Sequence, residues 1–255
     1  MSKLVLCLLM IALVAISGCA QMDKNEEGAV SQVKSESVNI SSGNMIFPTY
    51  LAAPTAEGKW PAVVMIHSFN GLESGYMTLA DQFAGEGYVV IAPQWQTFNR
   101  TPSDETVGRL IEDCSAFLKE RADVNSDKMA LTGFCAGGRY TMLFLPQMND
   151  TFNSGVAWYG FPYSSGFLNE SKPADFISQL NDPMLIIHGT YDVPSKISDI
   201  YRYAEELNAT GKYFELKVYQ GEPHGFMIKD GQLAESSAAE DAFWQMVSFF
   251  DRTLK

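Results

Sequence analysis

Short apolar runs alternate with amphipathic stretches from residue 62 to the end of the chain. Ala62 to Ile66, Tyr88 to Ala92, Lys128 to Phe134, Gly155 to Trp158 and Met184 to Ile187 read as strands, and the continuous apolar runs among them predict cover on both faces. Between them, apolar residues recur at three and four. That spacing predicts helices over Tyr76–Phe83, Thr106–Arg121, the residues after Cys135 to about Met148, Ser195–Leu207 and Glu235–Thr253. In the second of these, Val107, Leu110, Ile111, Cys114, Phe117 and Leu118 share one face, so Cys114 is a core residue. Phe214 to Tyr219 alternates and predicts a further strand. Ahead of residue 62, Val38–Ile40 and Met45–Leu51 form two early strands joined at Ser42-Gly43-Asn44, with Pro48 suggesting an edge position for the second. The connection from Phe161 to Asp182 carries one helical turn and little material for a lid. The order predicts an α/β domain: a mostly parallel central sheet, helices on both faces and no large lid. In such sheets ligands bind beyond the carboxyl ends of the strands.

The first residues break this pattern. Lys3 precedes an unbroken apolar run from Leu4 to Ile16, too short to span a membrane comfortably and suited to a signal-peptide core. Ile16-Ser17-Gly18-Cys19 resembles the lipobox of bacterial lipoproteins, which implies cleavage before Cys19 and lipidation of its thiol. The expected organisation is a signal peptide over 1–18, a lipidated Cys19 and flexible tether over 19–35, and one domain over 36–255. An ordinary secretory signal is the alternative. Both place the mature protein outside the cytoplasm, and a lipid on Cys19 would anchor it to a membrane.

The 255 residues are 46% hydrophobic and 12% aromatic, enough for a sizeable core. A net charge of −12 argues against nucleic acid as a partner, which requires a basic face. Of the four cysteines, Cys7 and Cys19 lie in the leader, leaving Cys114 and Cys135. A disulfide between those two stays open, but it would consume a residue with a better use.

That use is suggested by Gly133-Phe134-Cys135-Ala136-Gly137-Gly138-Arg139. Glycines stand two before and two after Cys135, at a strand-to-helix turn. This is the G-x-S-x-G nucleophile elbow with cysteine in place of serine. Side chains at the flanking positions would collide with neighbouring backbone, and the helix behind the turn aims free N–H groups at it, favouring negative charge.

A cysteine nucleophile needs a base, and the base needs an orienting acid. The chain has three histidines: His67 closing a strand, His188 within or just after one, and His224 in a late loop, Gly221-Glu222-Pro223-His224-Gly225-Phe226. Loop placement after a late strand suits the base; His188 reads as a packed, hydrogen-bonded residue. Asp192 follows the strand that ends near His188, giving the chain order Cys135…Asp192…His224. Oxyanion donors are expected at the backbone N–H of Ala136 and in the loop after the first buried strand, at Phe69 or Ser68. Trp95, Trp158 and Tyr159 are candidate substrate-binding walls, with Phe98 and Phe161 as further aromatics. Arg100 is a possible attractor of acidic groups.

The chain resembles the dienelactone hydrolase family of α/β-hydrolases. The resemblance rests on the elbow at 133–139, Val-Ala-Trp-Tyr-Gly at 156–160, Pro-Met-Leu-Ile-Ile-His-Gly-Thr-Tyr-Asp at 183–192 and Tyr-Gln-Gly-Glu-Pro-His-Gly-Phe at 219–226. It implies an α/β-hydrolase fold, Cys135 as nucleophile, His224 as base, Asp192 as its orienter, and hydrolysis of small esters or lactones without metal or organic cofactor. The chain departs from well-known members after the first buried strand, where Ser68 stands at the position of a glutamate that helps ionise the thiol. Two alternatives remain at this level: a broader acyl hydrolase or peptidase-like enzyme on the same residues, and a non-catalytic ligand-binding lipoprotein.

Overall fold

The computed structural model describes residues 32–255. The leader, Cys19 and most of the expected tether lie outside the described residues. Eight strands form one sheet: β1 (Val33–Ser42), β2 (Met45–Pro54), β3 (Trp60–Ile66), β4 (Val89–Pro93), β5 (Val124–Phe134), β6 (Ser154–Trp158), β7 (Met184–Gly189) and β8 (Phe214–Tyr219). Their order is β1-β2-β4-β3-β5-β6-β7-β8. β1 pairs antiparallel with β2, and β2 with β4; every pairing from β4 onward is parallel. The α/β architecture predicted from the alternation is therefore present.

Five α-helices cover the sheet: α1 (Ser74–Gly85), α2 (Asp104–Lys119), α3 (Ala136–Phe144), α4 (Ile197–Ala209) and α5 (Ser237–Leu254). The core divides into two layers. Val64 and Ile66 of β3 face α2, α3 and α4, whereas Val63 and Met65 face α1 and α5. The same alternation runs through β7, with Met184 and Ile186 on one side and Leu185 and Ile187 on the other. A period of two in a strand sends successive side chains to opposite faces, so each central strand must be apolar throughout. Ser103 caps α2 by accepting from the Thr106 N–H, and Asp104 and Glu105 in its first turn complement the helix dipole.

Two expectations need correction. β1 is longer than the Val38–Ile40 run, starting at Val33, because its exposed residues still pair with β2 along their whole length. Second, β2 is not an edge strand despite Pro48. The Pro48 carbonyl accepts from Gln94 N–H, so its nitrogen faces the β4 side, beyond the ladder that starts at Thr49↔Pro93. A missing N–H there leaves no ladder partner waiting. A small hairpin, β9 (Ile228–Lys229) and β10 (Gln232–Leu233), was not anticipated. Its turn is Asp230-Gly231, with φ of 52° and 77°, a pair that favours tight hairpins. No helix among the described residues is long and apolar enough to cross a membrane.

Candidate active site

β3, β5, β6 and β7 run parallel, so their carboxyl ends share one edge, and the chemistry gathers there. β5 ends at Phe134 and α3 begins at Ala136, leaving Cys135 alone at the turn with φ 57° and ψ −112°. A non-glycine residue in that region carries strain of about 1–3 kcal/mol. The surroundings hold it: Cys135 N–H donates to the Trp158 carbonyl at 3.0 Å, and Arg139 N–H donates to the Cys135 carbonyl at 3.0 Å. A Cβ on Gly133 would strike the Gly137 carbonyl, and one on Gly137 would strike the Ile66 carbonyl. The glycine spacing read from the sequence is thus required by backbone contact on both sides of the turn.

His224 lies between β8 and β9. Its Nδ1 is 2.7 Å from Asp192 Oδ2. Asp192, in the loop after β7, has a fully buried side chain, and its Oδ1 accepts the Ser195 N–H at 2.7 Å. The two loops are stitched together by Tyr191 N–H to the Glu222 carbonyl at 3.0 Å and Gly221 N–H to Thr190 Oγ1 at 2.8 Å. Gly189 permits this approach, since a Cβ there would meet the Glu222 carbonyl.

Burial opposes a charge on His224. Its hydrogen bond with Asp192, the side chain of Cys135 and the attraction of both groups outweigh that penalty, raising the imidazole pKa from 6.5 to about 9. Its Nε2 is buried and makes no hydrogen bond of good geometry among the described residues. The other two histidines behave oppositely. His67 donates Nδ1–H to the Ser68 carbonyl at 2.7 Å and stacks on Trp95; burial drives its pKa to about 4. His188 donates Nε2–H to the Ser195 carbonyl at 2.8 Å, lies 3.5 Å from Asp192 Oδ2, and is held neutral chiefly by burial. It is the packed, hydrogen-bonded residue the sequence suggested. Cys114 and Cys135 are both free thiols, so the disulfide alternative does not apply.

A cavity of about 260 Å³ opens at Cys135, walled by Phe69, Ala136, Arg139, Tyr140, Phe161, Ser164, Gly166 and Phe167. The expected oxyanion residues, Phe69 and Ala136, both border it. The Phe69 N–H finds no acceptor among the described residues, and Ala136 N–H is in the unpaired first turn of α3. Ser68 is buried, and its hydroxyl accepts the Asn70 N–H at 3.2 Å, shaping the same loop.

The wall residues proposed from the sequence need revision. Trp95 and Trp158 are sealed in the core: Trp95 donates to the His67 carbonyl at 3.2 Å, and Trp158 stacks on Phe134 and donates to Thr132. Trp158 ends β6 and Trp95 lies two residues beyond β4; both turn into the core, where Trp95 stacks on His67 and meets Tyr140 edge-on. Tyr159 is also fully buried, but its ring meets His224 edge-on at 5.1 Å, so it packs behind that imidazole instead of lining the cavity. Phe161 does line it, and its ring lies 5.4 Å from His224. Phe98 is exposed and packs on Phe47.

Arg139 is the wall residue that sequence reasoning missed. Its guanidinium makes a bidentate pair with Asp104, 2.7 Å on each arm, and donates to the Ser164 and Ser171 carbonyls at 3.0 and 2.7 Å. Glu170 in turn accepts the Asp104 N–H through both oxygens at 3.0 Å. The connection from 161 to 172 is thereby tied to α2 and α3. The available signal was the arginine four residues after Cys135, one helical turn along α3.

The chain is 25% identical over 232 residues to a protein of Methylorubrum extorquens provisionally named carboxymethylenebutenolidase, covering 84% of this chain and 79% of that one. It is 27% identical over 226 residues to the protein usf of Aquifex pyrophilus, covering 80% and 93%. Among solved structures, a provisionally named dienelactone hydrolase from Klebsiella pneumoniae superposes with a TM-score of 0.78 at 24% identity, over 87% of this chain and all of that one. An acylaminoacyl peptidase from Pyrococcus horikoshii shares the fold with a TM-score of 0.70 at 17% identity, but this chain spans 42% of its length. With the dienelactone hydrolase family profile matching residues 47–254, the chain belongs to that family of α/β-fold hydrolases.

Proposed function

We propose that this protein hydrolyses small carboxylic esters or lactones through Cys135, His224 and Asp192, by way of a thioester. The observation that carries this reading is the 2.7 Å bond from His224 to a buried Asp192, beside a strained elbow bearing Cys135. Asp192 fixes the ring with Nδ1 occupied and leaves Nε2 for proton transfer.

The thiol proton passes to Nε2, and Cys135 Sγ attacks the carbonyl carbon. The carbonyl electron pair moves onto oxygen, which the Phe69 and Ala136 N–H groups stabilise. Collapse breaks the acyl C–O bond, and the alkoxide takes the proton from His224. Water then gives a proton to His224 and its oxygen attacks the thioester carbon; the C–S bond breaks, releasing the acid, and the sulfur recovers its proton from His224. A raised imidazole pKa suits a group that must hold a proton while the leaving oxygen departs. With Ser68 in place of a carboxylate, activation of the thiol falls to His224 and the N-terminus of α3.

Incubation with p-nitrophenyl butyrate, followed by denaturation and mass spectrometry, tests this. A butyryl adduct on Cys135 is expected. Turnover that survives Cys135→Ala would remove the sulfur from the mechanism. We further propose that the mature protein is lipid-anchored at Cys19 outside the cytoplasm, a reading supported by the leader sequence. Loss of membrane association in Cys19→Ala is the expected result.

A further inference from the structure

The proposed chemistry divides the substrate between two sides of Cys135. The leaving oxygen must face His224, which is not part of the cavity wall, so the cavity receives the acyl group. Its volume of about 260 Å³ holds on the order of eight heavy atoms, at about 30 Å³ each. The surfaces around that space are largely the rings of Phe69, Tyr140, Phe161 and Phe167.

One charged side chain reaches the wall, Arg139, and its charge is already spent. Asp104 meets it with both oxygens at 2.7 Å, and two backbone carbonyls take further N–H groups. The Arg139 and Asp104 side chains are 5% and 12% exposed, so water screens the pair little and its net charge is zero. An incoming carboxylate would lose its hydration and find no unpaired cation, a cost that burial of a charge always carries. Arg100 does not fill the gap. It is solvent-exposed, lies across the Phe69 ring at 4.5 Å from the centroid, and is not part of the wall. The net charge of −12 also disfavours approach of an anion.

We infer that the acyl cavity is specific for short uncharged apolar acyl groups and rejects acyl groups bearing a carboxylate, because the Asp104–Arg139 pair neutralises the cation in its wall. This rests on the hydrolase reading for the direction of the acyl group, but selectivity can be read without turnover. The inference separates the chain from substrates such as the one in its relatives' provisional name, carboxymethylenebutenolide, which carries a carboxyl group.

Two measurements test it. Turnover of p-nitrophenyl butyrate is compared with that of mono-p-nitrophenyl succinate, which has the same leaving group and a terminal carboxylate. The butyrate is expected to have a kcat/KM about 100-fold higher or more. In parallel, calorimetry on Cys135→Ala compares butyranilide with succinanilic acid, stable amides of the same two acyl groups. The neutral amide is expected to bind at least about 30-fold more tightly. Equal turnover or equal binding of the charged and neutral partners would overturn the inference. If neither ester is hydrolysed but the neutral amide still binds preferentially, the selectivity stands and the hydrolase reading fails. Asp104→Asn supplies a second arm, because it frees the Arg139 charge: the ratio between the esters is expected to shrink by about tenfold. A folded Asp104→Asn protein with an unchanged ratio would remove the pair as the cause.

Discussion

The two cysteines of the domain sit in opposite environments. Cys114 lies in the middle of α2, fully buried among Val107, Leu110, Ile111 and Leu118. Burial pushes its thiol pKa far up, with the nearby Asp113 adding to the rise. Cys135, partly exposed, stands on a strained turn, with the free N–H groups of α3 behind it and a charge-favouring histidine beside it. The thiol is the same; the backbone decides its chemistry. A helix interior turns Cys114 into a small apolar side chain, whereas Cys135 only borders its core layer and stays partly exposed at the elbow.

The largest expected effect breaks this comparison directly. Cys135→Ala should lower kcat/KM for a short neutral ester by about 10⁴-fold, while Cys114→Ala leaves it within about twofold. Comparable losses from both would mean that the difference in setting is irrelevant to activity. Next comes Asp192→Asn, which keeps the shape of the acid but removes the charge that holds His224. A fall of about 10³-fold in kcat is expected, with KM little changed, since the loss is of transition-state stabilisation.

Why one setting is readable in advance and the other only in part follows from where the information lies. The elbow is compact in sequence: Gly133, Cys135 and Gly137 stand within five residues, and although Gly137 answers to the distant Ile66 carbonyl, the spacing itself is visible in one short stretch. The order Cys135, Asp192, His224 is legible because parallel strands bring their carboxyl ends to one edge. The core position of Cys114 is legible from helical periodicity. The cavity wall is not, because it is built by residues distant in sequence. Arg139 meets Asp104 from another helix and Ser164 and Ser171 from a loop, and no periodicity encodes that meeting. Trp95 and Trp158 misled for a related reason. An aromatic residue after a strand can turn to the cavity or to the core, and neighbouring strands decide which.

Chemical labelling sharpens the comparison without turnover. Iodoacetamide is expected to modify Cys135 about 10²-fold faster than Cys114 in the folded protein, and the two should converge in denaturant. Mass spectrometry of peptides containing each residue reads the ratio. Equal rates in the folded state would show that α2 opens as readily as the elbow is exposed.

The pH dependence has a defined sign. His224 binds its proton more tightly in the folded chain than when unfolded, with its pKa raised from 6.5 to about 9. Its contribution to stability is therefore complete below pH 6.5 and is lost as pH rises through about 9. The melting temperature should decline across that window, and His224→Ala should remove the decline. Activity follows the same proton. If the imidazolium delivers it to the leaving group, kcat/KM falls by about tenfold per unit above the raised value. A profile still rising there would place the proton elsewhere.

The smallest effect tests the buried half of the comparison. Cys114→Ser replaces a weakly polar thiol by a hydroxyl that wants partners, within a layer of aliphatic side chains. Transfer of an unpartnered hydroxyl into such a layer costs about 1–3 kcal/mol. A serine inside a helix can bond back to the carbonyl one turn earlier, here that of Leu110, so the lower end of that range is expected. Urea unfolding should show a lower midpoint with an unchanged slope, because the surface exposed on unfolding is the same. Cys135→Ser, at a partly exposed site on the border of its core layer, should change stability by less, about 0.5 kcal/mol. The two substitutions thus sort in opposite order for stability and for activity: the one that costs folding energy spares turnover, and the one that removes the sulfur from the elbow leaves the fold intact.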